Sequence, residues 1–106
     1  MDDVFVSSID PEHWIPDPDV PGSEMHELVN ADGVWAGLTR FLTVDGPQSW
    51  SPPRRETIHV LEGEVVIEVA DGTTLHLRPG DVASIPAERE TIWHITAPFK
   101  EFWVLA

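Results

Sequence analysis

From Arg55 to Pro86 the chain alternates apolar and polar residues: Ile58 and Val60, then Val65, Ile67 and Val69, then Leu75 and Leu77. A period of two is the signature of strands with one face buried and the other wet. Each run ends at residues that tolerate positive φ or preset a bend, namely Glu62-Gly63, Asp71-Gly72 and Pro79-Gly80-Asp81. Such turns predict chain reversals at short intervals and an antiparallel sandwich or barrel.

The flanking segments extend this picture. Val4, Phe5 and Val6 have the composition of a short strand, but the following IDPEHWIPDPDVPGSE is rich in proline and acid. It excludes a helix or a central strand and predicts an extended arm over residues 1–24, whose Trp14 and Ile15 require an apolar surface, on the same domain or on a second subunit. Residues 25–106 then form a single barrel domain. Within Met25–Val44, Asn30-Ala31-Asp32-Gly33 is a turn between two strands. The second of these carries Val34, Ala36, Leu38, Arg40 and Leu42 on one face and Trp35, Gly37, Thr39 and Phe41 on the other. Neither face declares itself the inner one: facing inward, Arg40 needs a carboxylate or an anionic ligand, and facing outward it is an ordinary surface arginine. The run DGPQSWSPPRR is a loop, Thr91–Thr96 alternates again up to Pro98, and Phe99–Leu105 closes the domain with apolar residues on both faces. No helical period and no internal repeat is present.

Composition narrows the function classes. A chain of 106 residues supports one core. Without cysteine there is no disulfide, thiolate metal site or thiol nucleophile. The start MDDVFVSSIDPEH lacks a basic or apolar leader and no apolar run approaches the roughly 20 residues of a bilayer span, so a cytoplasmic protein is expected. A net charge of -13, from 19 acidic and 6 basic residues, repels phosphate backbones and anionic lipid, which argues against nucleic-acid and membrane partners.

Several markers occur in order: Glu56 and Gly63 in E-TIHVLE-G, the run V-L-E-G-E-V, Asp71-Gly72, Gly80 and Pro86 in G-DVASI-P, and Trp93 seven positions beyond that proline. In this the chain resembles the cupins, and within them the branch of ureidoglycine aminohydrolase and ethanolamine-utilisation-like domains. The resemblance covers roughly Gly33–Leu105 and implies an all-β fold, the double-stranded β-helix or jelly-roll barrel, here with an extended N-terminal arm. Where cupins bind a metal, they do so through two histidines, a glutamate and a further histidine. At the matching positions this chain has Trp50 and Pro52 (or Ser49 and Ser51), Glu56, and Thr91, with Glu88 at a position usually held by glycine. Only Glu56 survives, a poor donor set for a transition metal. Alternation places His59, His76 and His94 opposite their apolar neighbours, outside the barrel.

On this register the cup is lined by Glu56, Ile58, Thr91 and Trp93, with Trp50 on the rim and Arg40 as a conditional neighbour. Glu56 is the candidate acid or base, because burial raises a carboxyl pKa while a nearby arginine lowers it. Three readings follow. The favoured one is a cofactor-free cupin that binds a small polar metabolite, as sensor, carrier or accessory domain, and forms a homodimer through the arm and outer strands. The second is an aminohydrolase- or isomerase-like enzyme using Glu56, with a weakly bound divalent metal. The third is an interaction module whose barrel is filled by Trp50, Trp93 and Phe102.

Overall fold

Two long strands, β5 (Glu56–Val69) and β8 (Thr91–Leu105), run antiparallel along each other and belong to both layers of the molecule. The computed structural model describes residues 4–106. Among them β5 and β8 are joined by β1 (Ile15–Pro16), β2 (Ser23–Ala31), β3 (Val34–Phe41), β4 (Gln48–Trp50), β6 (Thr74–Leu77) and β7 (Val82–Ile85), with no helix. The Glu56–Glu62 half of β5 pairs with Lys100–Leu105 of β8, and β1, β2, β3 and β7 extend that layer. The Glu64–Val69 half pairs with Thr91–Thr96, flanked by β4 and β6. The expected all-β jelly roll is what the chain forms.

The layers are one pair of strands folded over at Gly63. The sequence predicts a reversal there, but the structure has a bulge: β5 continues, and the register shifts between Val60, Glu62 and Glu64. Gly63 has φ +76°, and a Cβ at this position would collide with the carbonyl oxygens of Pro98 and Thr96. Pro98, predicted to end a strand, lies in β8 opposite the bulge, where the ladder is interrupted and a missing N–H costs nothing. The other turns are reversals. Asp32 and Gly33, both at positive φ, form the two-residue loop between β2 and β3, and Gly72 closes the β5–β6 hairpin.

Period-two patterning sets the core. Ile58, Val60, Val65, Ile67, Ile85 and Phe99 are almost fully buried between the layers. The outer face of β3 is buried too, through Ala36 and Leu38, and the arm explains why. His26 Nδ1 donates to the His13 carbonyl at 2.8 Å, which leaves Nε2 to accept from the Ser7 hydroxyl, also at 2.8 Å. Asp10 pairs with Lys100 at 2.6 Å, and the Trp14 ring lies beside His26 and 4.2 Å from the Arg40 guanidinium. The arm therefore packs on its own domain, across the outer face of β2, β3 and β8. The strand expected at Val4–Val6 does not form: these residues are exposed and pair with no strand among the described residues. Within the arm, β1 already adds to the sheet edge by pairing with β2, which starts at Ser23, two residues before Met25.

Candidate functional site

Inside the cup, a chain of hydrogen bonds fixes Glu56. Strand β4 is short because the proline-rich loop around it supplies few donors, yet it pairs with β8 so that Trp50 stands opposite Thr91 and Gln48 opposite Trp93. Trp93 Nε1 donates to Thr91 Oγ1 at 2.8 Å, and the Thr91 hydroxyl donates in turn to the Trp50 carbonyl at 2.5 Å. Trp50 Nε1 then donates to Glu56 Oε1 at 2.8 Å. Three strands are thus tied to one carboxylate.

A second carboxylate enters the cup from β8. Glu101 pairs with Val60 on one side and Thr39 on the other, in phase with Phe99, Trp103 and Leu105, so alternation turns it inward. Glu56 stands opposite Leu105, so the two acids flank the Ile58–Trp103 pair on adjacent strands. They are 5% and 4% exposed. None of the bonds that hold Glu56, Thr91 and Trp93 reaches Glu101, and no ion pair among the described residues engages it. Sequence reasoning missed Glu101, although its phase with Trp103 and Leu105 was readable.

Both carboxyls line a cavity of about 320 Å³. Its walls are Trp35, Trp50, Trp93 and Trp103 with Phe41, Met25 and Ile95, and Asp17, Pro18, Asp19 and Val20 border it from the loop between β1 and β2. That loop is a set of tight turns: Val20 N–H donates to the Asp17 carbonyl, Ser23 N–H to the Val20 carbonyl, and Asp19 N–H to Asp17 Oδ1. Trp103 Nε1 donates to Thr39 Oγ1 at 2.8 Å, and Trp35 meets Trp103 edge to face at 5.2 Å.

Of the residues singled out from sequence, Glu56, Trp50 and Trp93 come together on this cavity. The other three stand apart from it. Ile58 is on the inner face but sealed in the packed core. Thr91 is buried behind the wall, where it holds Trp93 and Trp50, and borders a separate surface recess with Ser51 and Glu68. Arg40 lies on the outer face, bonded to Glu24 at 2.9 Å beneath the arm, because Trp35, Thr39 and Phe41 take the inner positions of β3. Phe102 also faces away from the cavity, so the barrel is not filled as the third reading requires. His59, His76 and His94 are exposed, the last bonded to Glu68 at 2.6 Å.

The electrostatics follow from burial. Desolvation pushes the Glu56 carboxyl from 4.5 up to about 7, and the Trp50 bond pulls the other way by favouring the charged form. Glu101 is held well above the ordinary 4.5, mainly by burial and then by repulsion from Glu56. The donor set does not suit a transition metal. No three of His, Cys, Asp and Glu converge among the described residues, and the Thr91 hydroxyl, at a position where cupins use a histidine, is already committed to Trp50 and Trp93. The left-handed turn at the position cupins usually give to glycine is nevertheless kept, with Glu88 at φ +62°.

The EutQ-like cupin domain family matches residues 41–102 of this chain. The protein belongs to that family. No curated protein matches it in sequence. Among solved structures, the EutQ protein of Clostridium difficile is 16% identical over 78% of this chain and 66% of its own, with a TM-score of 0.65. A cupin superfamily protein of Desulfitobacterium hafniense is 22% identical over 85% of this chain and 82% of its own, at 0.65. The hydroxypropylphosphonic acid epoxidase of S. wedmorenis is 19% identical over 100% of this chain and 61% of its own, at 0.77. At these identities the likeness establishes the shared cupin fold, and the function of this EutQ-like chain rests on its own residues.

Proposed function

We propose that this EutQ-like cupin is a small-molecule-binding protein whose cup works through its own side chains, without a resident metal. One observation carries the reading: a cavity walled mainly by aromatic and aliphatic side chains holds two nearly buried carboxyls, and no ion pair among the described residues engages either. Burying an unpaired acid costs stability, and a fold that bears such a cost inside a pocket of metabolite size points to a ligand. A ligand that binds only the folded chain raises its melting temperature, so a screen of small amines, alcohols, sugars and carboxylic acids tests the proposal. A hit of any class that also perturbs tryptophan fluorescence supports it; no shift in any class at millimolar concentration defeats it.

A second reading is favoured by the Glu56 carboxyl at about 7, the range of a general acid or base that exchanges protons at neutral pH. If the bound molecule is also turned over, Glu56→Gln abolishes the reaction while leaving the fold and binding intact. Undiminished turnover in that variant removes Glu56 from the chemistry.

The partner reading is part of the same proposal. Val4, Phe5, Val6 and Ile9 remain exposed on the arm and are read as the contact of a homodimer. Light scattering that finds only monomer at high concentration overturns it. A charge of -13 argues against nucleic acid, no helix is long and apolar enough to cross a membrane among the described residues, and a cytoplasmic location is proposed for a chain with no cysteine to staple a secreted fold.

A further inference from the structure

Every charged side chain that borders the cavity is acidic: Asp17 and Asp19 at the loop side, Glu56 and Glu101 within. Among the described residues no lysine, arginine or histidine stands on the wall, although the chain has 6 basic residues and 5 histidines to place. Anionic ligands therefore meet no counter-charge there. The neutral polar contribution, from Thr39, Gln48 and Ser49, is small beside four indoles. Aromatic faces attract cations through the ring quadrupole, and the attraction strengthens as water is excluded.

The two acids are not equivalent. Glu56 already accepts the Trp50 indole N–H at 2.8 Å, whereas Glu101 is 4% exposed and, among the described residues, meets neither a cation nor any of the cup's indole and hydroxyl donors. An unpaired carboxyl in such a place is satisfied by a ligand that brings positive charge. Resting on the binding role proposed above, we infer that the cup is specific for a small organic ammonium ion, with its charged head at Glu101 and its apolar body against Trp35, Trp50, Trp93 and Trp103. Burial raises the carboxyl pair above the ordinary carboxyl range, and an entering cation favours the charged form, so binding displaces protons from the pair. A 320 Å³ cavity, near the lower limit for small-molecule sites, restricts the ligand to a compact amine.

Isothermal titration of the full-length chain tests this with choline, n-butylammonium and neohexyl alcohol, the uncharged carbon isostere of choline. At least one of the two cations binds about tenfold or more tightly than the alcohol and releases protons, read as a heat that varies with the ionisation enthalpy of the buffer. In Glu101→Gln, which keeps the shape and removes the charge, cation affinity falls about tenfold or more and proton release declines, while binding of the alcohol is unchanged. Equal binding of alcohol and cations, or undiminished cation binding by the variant, overturns the cation assignment and leaves the binding role standing. Failure of both cations to bind while the wider screen yields neutral or acidic hits does the same, and failure of every class defeats both.

Discussion

Trp50 Nε1 lies 2.8 Å from Glu56 Oε1, and this bond favours ionisation of an acid otherwise pushed up by burial. A bond to a charged acceptor contributes about 1.5–3 kcal/mol, or roughly one to two pKa units. Trp50→Phe keeps an aromatic wall and removes the donor. The Glu56 carboxyl should then titrate roughly one unit higher than in the parent, as followed by carboxyl-carbon NMR. An unchanged titration would show that the indole does not tune this acid.

Thr91 is the next link outward. Its hydroxyl accepts from Trp93 and donates to the Trp50 carbonyl, so Thr91→Val, nearly isosteric, leaves a buried indole N–H and a carbonyl without partners. Leaving a buried group unsatisfied costs about 1–3 kcal/mol, and the variant should lose roughly 2–4 kcal/mol in urea denaturation with an unchanged slope. Thr91→Ser should recover most of the loss. If Val is tolerated within about 0.5 kcal/mol, the relay is dispensable.

How far the sequence discloses these features depends on whether one strand or its neighbours determine them. The inward set Ile58, Val60, Val65 and Ile67 follows from alternation alone, as does the outward placement of His59, His76 and His94. The bend at Gly63 does not, because a hairpin and a bulge ask for the same positive-φ residue and only the pairing with Thr96–Lys100 separates them. Arg40 was ambiguous for a related reason. The arm covers the outer face of β3, so Ala36 and Leu38 are as apolar as the inner row, and the pattern loses its sign. Glu101 was legible in phase but not in meaning: an acid within a strand is normally solvated, and its burial depends on the opposite layer, with Trp50 and Trp93, enclosing the cavity it faces.

The carboxyl pair also makes stability depend on pH in the sense opposite to that of a salt-bridged acid. Glu56 loses its proton near 4.5 when unfolded and near 7 when folded, so between these values the folded chain holds the extra proton. Stability should therefore fall as pH rises through that window, by roughly 3 kcal/mol for Glu56, and Glu101 extends the decline upward. Glu56→Gln should match the parent near pH 4.5 and exceed it at pH 8, and Glu101→Gln should depart from the parent in the same sense, its advantage continuing to grow to higher pH. Urea denaturation at pH 5 and pH 8 measures it; variants no more stable than the parent at pH 8 would mean that the acids are relieved by water or by one another.

Gly63 is where the two layers become one cup, and its replacement separates backbone strain from collision. Gly63 and Gly72 both have positive φ, at +76° and +96°, but nothing lies within 4 Å of a Cβ built on Gly72, whereas one on Gly63 strikes the Pro98 and Thr96 carbonyls. Alanine at Gly72 meets only the left-handed backbone penalty of about 1–2 kcal/mol. Alanine at Gly63 must also push β8 away from the bulge, and should cost roughly 3 kcal/mol or more. The displaced segment leads directly into Glu101, so Gly63→Ala should also shift the Glu101 titration toward the ordinary carboxyl range as water reaches the cup, while Gly72→Ala leaves it in place. Equal losses of stability for the two alanines in parallel urea titrations would mean that the close approach of β8 does not restrict Gly63.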